Sequence, residues 1–176
     1  MRLSTTALPG VLRVAAEPAC DARGSFTRVF CASRFAALGV DFAPRQTSVS
    51  HSALRFTLRG LHWQRAPAEE TKLVTCVAGA AFDVVVDLRP SSPSYRAVLT
   101  TELQEYDGMA VLIPPGCAHG LLTLTDDTVV LYHIDRDYDP ACAAGARWND
   151  PAFAIPWPFA PSVISARDAA WPDHAA

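Results

Sequence analysis

The feature that most constrains this chain is its cadence of short apolar runs, each stopped by glycine, proline or aspartate. Lys72 to Val77 is stopped by Ala78-Gly79-Ala80, and the valine-rich run Phe82 to Leu88 by Pro90-Ser91-Ser92-Pro93. Ala97 to Leu103 ends before a turn at Asp107-Gly108, and Met109 to Ile113 ends at Pro114-Pro115-Gly116. Leu121 to Thr125, a turn at Asp126-Asp127 and Thr128 to Asp135 read as a hairpin. Upstream, Gly10 to Val14 and the alternating Phe26 to Phe30 are expected strands, with Asp21-Ala22-Arg23-Gly24 as a turn. Strands of this length separated by such turns specify an all-β sandwich or barrel. Ser33 to Leu38, stopped by Gly39, is the one helix the pattern predicts. From Asp139 onward the chain is rich in proline, and Trp148, Trp157 and Trp171 predict a tail that wraps the barrel.

The 176 residues suffice for a single domain, 1–176, with its own core. Half are hydrophobic and 19% charged, the profile of a globular chain rather than a disordered one. A net charge of −3 argues against a nucleic-acid partner. No apolar run approaches a membrane span, and residues 1–6 lack the pattern of a signal peptide. Five cysteines without a C-x-x-C pair read as reduced thiols in a cytoplasmic protein, Cys76 being a core residue.

Chemistry concentrates around Leu58-Arg59-Gly60-Leu61-His62-Trp63-Gln64. In an extended strand His62 shares a face with Gly60 and Gln64, and Gly60 leaves space there for a ligand to approach. An arginine, a histidine and a glutamine beside that gap suit an anionic polar small molecule. A strand end with a surface arginine and a hydrogen-bonded core histidine explains the heptapeptide equally well. Further on, Gly116-Cys117-Ala118-His119 has the G-x-x-H spacing of half a cupin motif. The place of a second metal-binding histidine is taken by Gln64, a poor ligand beside imidazole, so the jelly roll is expected and a metal is not. Asp83, Asp87, Lys72 and Tyr132 lie in apolar strands, where a charge costs several kcal/mol unless it is paired or lines a cavity. An internal Asp83–Lys72 ion pair is the structural alternative to a functional reading.

Taken in order, several motifs resemble the dTDP-4-dehydrorhamnose 3,5-epimerase family. They are Arg59-Gly60-Leu61-His62-Trp63-Gln64, Lys72-Leu73-Val74, Phe82 to Arg89, Ser92-Pro93, Ile113 to Gly120, Leu131-Tyr132, Tyr138, Trp148-Asn149-Asp150-Pro151 and Ser165-Ala166-Arg167-Asp168. The likeness runs from about Asp21 to Asp168, and an ordered set is more specific than any one motif. It implies a cupin-like jelly-roll barrel, homodimeric, acting without metal or organic cofactor on a nucleotide-diphosphate 4-keto sugar. A C4 ketone acidifies the C–H bonds at C3 and C5, so inversion needs a base on one face and an acid on the other. By the resemblance, His62 is the base, Asp168 orients and supports its imidazole, Tyr132 is the acid and Lys72 stabilises the enolate oxygen. His119 and Asp83 match a second histidine–aspartate pair lining the site. Arg59 and Arg23 match groups facing the diphosphate. Gln46 and Tyr138 match positions near the nucleotide, with Tyr138 as a stacking surface, and Phe26 and Ser48 belong to the same substrate-contact set.

The chain departs from the family at contact positions. Arg28 stands where an acid is expected, Ser25 for an aromatic, Ser48 for an amide, and Glu70 for the glutamine two residues before the lysine. Arginine only donates hydrogen bonds. Arg28 therefore implies either a base edge rich in acceptors, as in CDP or GDP sugars, or a third grip on the diphosphate. Two rivals remain at this stage: a metal-dependent cupin using His62, Gln64, Glu69 or Glu70 and His119, and a non-catalytic sugar-nucleotide-binding cupin.

Overall fold

The computed structural model describes residues 1–174. The elements run β1 (Arg2–Thr5), β2 (Leu12–Ala15), β3 (Ala19–Asp21), β4 (Gly24–Phe26), α1 (Ala32–Ala37), β5 (Gln46–Ser52), β6 (Thr57–Gln64) and β7 (Lys72–Ala78). They continue β8 (Ala80–Asp87), β9 (Val98–Gln104), β10 (Met109–Ile113), β11 (Cys117–Thr123), β12 (Thr128–Ile134), β13 (Ala143–Gly145), β14 (Val163–Ile164) and α2 (Ala166–Ala169). One sheet has the order β1-β2-β10-β7-β12-β5, the other β13-β6-β11-β8-β9, and β3 and β4 form a separate hairpin. From β5 to β8 and again from β10 to β12, successive strands alternate between the two sheets. This is the jelly-roll course the strand cadence implied, with the ends of a barrel left open.

Val74 and Cys76 of β7, Val85 of β8, Val111 of β10, Leu121 of β11 and Val130 of β12 meet in the core between the sheets. Leu73 and Leu112 point the other way, into a second cluster closed by Phe35 of α1 and by Phe42. Val84 and Val86 pack outward onto Ala146 and Phe153 of the C-terminal tail. Both sheets are thus covered on their outer faces, which is why β7 and β8 read as nearly continuous apolar runs instead of alternating ones. The tail wraps as its tryptophans required: Trp157 Nε1 donates to the Trp148 carbonyl at 2.8 Å, and its ring meets Phe82 at 6.0 Å between centroids.

Three local expectations are corrected. Phe26 to Phe30 is not a strand; only Gly24–Phe26 is, hydrogen-bonded to β3 across the turn with Gly24 at φ +122°. Residues 121–125 and 128–135 form no hairpin, because β11 pairs with β6 and β8 while β12 pairs with β5 and β7. Their turn crosses from one sheet to the other, which the turn residues alone cannot reveal. Gly60 leaves no room for a ligand: a Cβ there would lie 2.6 Å from Gly120 Cα and 2.8 Å from the His119 carbonyl oxygen. The glycine serves close strand approach and a φ of +116°. The polar run Gln46–Ser52 is an edge strand, and β1, β13, β14 and α2 lie in segments read as loop or left unassigned.

Asp87 closes the far end of β8. Its Oδ1 accepts from the Arg89 amide at 3.0 Å and Nε at 2.8 Å, and its Oδ2 from Arg89 Nη2 at 2.8 Å, Ser92 Oγ at 2.5 Å and Ser94 Oγ at 2.6 Å. Burial alone would raise its pKa, but these donors outweigh it and hold the carboxyl far below the usual range. Because the folded pKa is depressed, the group stabilises the fold above the unfolded-state pKa of about 4 and loses that contribution as pH falls below it. Asp87→Asn is expected to destabilise the protein by roughly 2–4 kcal/mol at neutral pH. Urea denaturation at pH 7 and at about pH 3 checks this, the difference from wild type shrinking in acid.

Candidate active site

The second sheet's β6 carries the central residue, and a bulge sets its direction. The β6–β11 register runs His119↔His62, then shifts before Leu121↔Arg59. An unbroken strand would put Arg59 and His62 on opposite faces. The bulge at Gly60 turns both toward one cavity of about 450 Å³, which Lys72, His119, Tyr132 and Asp168 also line. A smaller lobe of about 170 Å³ shares His62, Lys72 and Ile134 and adds Gln46, Glu70, Tyr138 and Arg167.

His62 Nε2 meets Asp168 Oδ1 at 2.7 Å, and the Gly60 amide donates to Asp168 Oδ2 at 3.1 Å. Asp168 is placed by α2, whose N-cap Ser165 accepts from the Asp168 amide at 3.0 Å. Its side chain is 7% exposed and that of His62 42%, so a buried carboxylate backs an imidazole open to the cavity. Burial raises the Asp168 pKa, but the His62 contact and the Gly60 amide prevail and hold it below the usual carboxylate range. It stays ionised across the neutral range, a fixed anion in contact with the ring.

His119 Nε2 and Asp83 Oδ2 form a second pair at 2.6 Å, almost fully buried. The Tyr132 ring stands edge-on to His119, 5.8 Å between centroids. Burial and then the Asp83 charge push the Tyr132 phenol well above its ordinary pKa, so it keeps its proton across the neutral range. Lys72 does not pair with Asp83. Its Nζ lies 2.8 Å from Glu70 Oε1 and donates to the His62 carbonyl at 3.4 Å, with both side chains largely buried. Arg59 is held by Ser52 Oγ at 3.1 Å and the His51 carbonyl at 2.8 Å.

Of the residues singled out in the sequence, His62, Asp168, Tyr132, Lys72, His119 and Arg59 line the main cavity, with Asp83 behind His119. Gln46 and Tyr138 line the smaller lobe. Ser48 sits opposite Tyr132 in the β5–β12 ladder but is exposed and lines neither lobe. Arg23, Phe26 and Arg28 do not join the cavity of their own chain. Arg23 is 90% exposed and paired with Asp21, Phe26 is 70% exposed on the β3–β4 hairpin, and Arg28 is exposed beside the Cys31 thiol. Sequence reasoning did not assign Ser50, Ser165 and Arg167, which line the cavity or its smaller lobe. The signal for the last two was their place beside Asp168.

Two donors of the metal-cupin reading, Gln64 and Glu70, are committed elsewhere. Gln64 Nε2 donates to the carbonyls of Ala68 at 2.9 Å and Asp137 at 3.2 Å, and its Oε1 accepts from the Asp139 amide at 2.6 Å. Glu70 faces Lys72, and among the described residues no three His, Cys, Asp or Glu side chains converge as a metal-binding group.

Comparison with known proteins agrees with this geometry. The family model described as dTDP-4-dehydrorhamnose 3,5-epimerase matches residues 5–175. A dTDP-4-dehydrorhamnose 3,5-epimerase of Sinorhizobium fredii is 40% identical over 153 residues, covering 86% of this chain and 78% of the relative. A dTDP-4-dehydrorhamnose 3-epimerase of Streptomyces niveus is 38% identical over 169 residues, 96% of this chain and 81% of that one. The crystal structure of the 3,5-epimerase of Bacillus anthracis with TDP and PPi bound superposes with a TM-score of 0.95 at 35% identity, covering 98% of this chain and 99% of that one. Because the family model spans nearly the whole chain and these relatives match it at 35–40% identity over most of both lengths, the chain belongs to the dTDP-4-dehydrorhamnose 3,5-epimerase family.

Proposed function

We propose that this protein is an epimerase that inverts C3, C5 or both in a nucleotide-linked 4-keto-6-deoxyhexose, as a step in deoxysugar biosynthesis. The observation that carries the reading is one cavity holding an aspartate-backed histidine, a phenol that keeps its proton and a buried ammonium. His62 removes the proton beside the C4 ketone, and the C–H electron pair moves into the enolate. Lys72 holds the enolate oxygen, a role that contributes on the order of 3–4 kcal/mol to the transition state. Tyr132 returns a proton to the opposite face. Water then takes the proton from the His62 imidazolium and restores that of the Tyr132 phenolate.

Arg59 grips the diphosphate, and Gln46 and Tyr138 receive the nucleotide in the smaller lobe. The exposed hairpin bearing Arg23 and Phe26, with Arg28 just beyond it, fits a homodimer in which it reaches the partner's cavity. The protein works in the cytoplasm; among the described residues no helix is long and apolar enough to cross a membrane. A non-catalytic binding protein would not need base, acid and enolate support together, and the absence of exchange in the following experiment would favour that rival.

Incubation with nucleotide 4-keto sugars in deuterium oxide, with the label placed by NMR, tests the reading. His62→Asn or His62→Ala is expected to keep ligand binding and lose exchange at every position, by about 10²–10⁴-fold. Near-normal turnover would remove His62 from the mechanism. Tyr132→Phe separates the two half-steps: deuterium should enter with configuration retained while epimerised product falls. Undiminished epimerisation by that variant would assign reprotonation to water or another acid.

Arg28 sets a narrower question. Calorimetry of dTDP, UDP, CDP and GDP with the wild type and Arg28→Glu is expected to show a preference displaced from dTDP toward CDP or GDP that the variant reverses. Equal effects on all four nucleotides, with dTDP tightest in the wild type, would make Arg28 a phosphate or surface residue.

A further inference from the structure

Trp171 follows Asp168 by three residues, at the end of the strap that brings the carboxylate to β6. Its indole lies so close to β13 that a Cβ on Gly145 would stand 2.1 Å from Cε2 and 2.4 Å from Nε1. Gly145 is the residue opposite His62 in the β13–β6 ladder. Arg167 lies over the indole at 5.2 Å from the ring centroid. The ring is therefore held between the backbone beside the base and a cation of the smaller lobe.

Trp171 Nε1 is buried without a hydrogen-bond partner, an unusual state for a group that can only donate. The indole stands among the groups that lower the Asp168 pKa, which places its N–H toward that carboxylate, although no hydrogen bond between them is formed. We propose that Trp171 is a positioning residue for the His62–Asp168 pair, its indole N–H serving as the carboxylate's third donor after His62 and the Gly60 amide. The proposal rests on the epimerase reading only in what the pair is used for.

A carboxylate with one donor fewer binds a proton, or holds one on His62, more tightly. The coupled pair then takes up its inactivating proton at higher pH. The other titratable groups around Asp168 are His62 and Arg59 from β6, Lys72 from β7 with Glu70 behind it, His119 from β11, Tyr132 from β12 and Arg167 on its own helix. β13 contributes none.

Nitrogen–proton NMR of the four tryptophan indoles, assigned through ring contacts, tests the donor without reference to turnover. The Trp171 indole proton is expected to move as the pair titrates and to shift upfield in Asp168→Asn, the other three staying in place. Trp171→Phe retains the ring on Gly145 and loses the donor. Its kcat/KM profile is expected to have an acid limb raised by roughly half to one pH unit, a 3–10-fold loss in acid with near-normal rates above it. An indole resonance indifferent to Asp168→Asn overturns the proposal, as does a Trp171→Phe profile lowered equally at every pH, which marks mere strapping. If Trp171→Phe does not fold, the NMR result decides. Failure of the wild type to epimerise any 4-keto sugar would sink the functional reading and leave the indole result standing.

Discussion

The site depends on a gap in a hydrogen-bond ladder. The outer edge of β6 is paired by β14 at Thr57 and Leu58, by Ala146 at Leu61, and by β13 from His62 to Gln64. Between them the Gly60 amide has no strand to bond, and the Asp168 carboxylate fills the place. A buried N–H must find an acceptor. Here the acceptor is also the group that backs His62, so satisfying the backbone and orienting the imidazole are one interaction. The long C-terminal tail, from β13 through Trp157 to α2, exists in register with β6 largely to deliver that carboxylate.

The bulge that creates the gap has a second effect. It places Arg59 beside His62 on the cavity, giving a guanidinium and an imidazole on one short strand. Gly60 and Gly120 allow the crossing because their strands approach too closely for side chains: a Cβ on Gly120 would lie 2.8 Å from Leu61 Cδ2. The lining of the cavity and the packing of the strands thus share one local deformation.

Much of this was legible in the chain itself. Turn residues and apolar runs located β7 to β10 and most of β12; β7, β8 and β10 are buried along most of their length and so read as nearly continuous apolar runs, while β9 was found by the turns that bound it. The ordered motifs named the cavity residues, since chemistry constrains side-chain type more tightly than packing does. What stayed hidden was non-local. Gln46–Ser52 is polar because its face lines the open end of the barrel and its outer edge is unpaired, so it lacks the composition of a strand. The false hairpin at Asp126-Asp127 arose because a turn reports chain reversal and not the sheet to which the chain returns. β14 and α2 are too short to leave a periodic pattern; Ser165 and Asp168 betray α2 only as a cap and its first turn. Arg23 and Phe26, which match the family, and Arg28, which departs from it, all lie off their own cavity, where no local pattern in the sequence could have placed them.

The charge pattern of the cavity separates its two tasks. Each carboxylate near the chemistry is matched at short range: Asp168 by His62, Asp83 by His119 and Glu70 by Lys72. Among the described residues Arg59 and Arg167 have no carboxylate partner, and they line the main cavity and the smaller lobe. These two are unneutralised guanidinium groups, the form that suits an anionic ligand bidentately. The other charged side chains of the main cavity are balanced at short range. That balance has a consequence for Lys72, because any anion entering the cavity must compete with Glu70 for its ammonium. Where the resemblance implies a neutral glutamine, this chain has Glu70, and a buried anion holds the cation. Lys72 is thereby fixed in place at the cavity wall, with part of its field directed at Glu70 instead of into the open space.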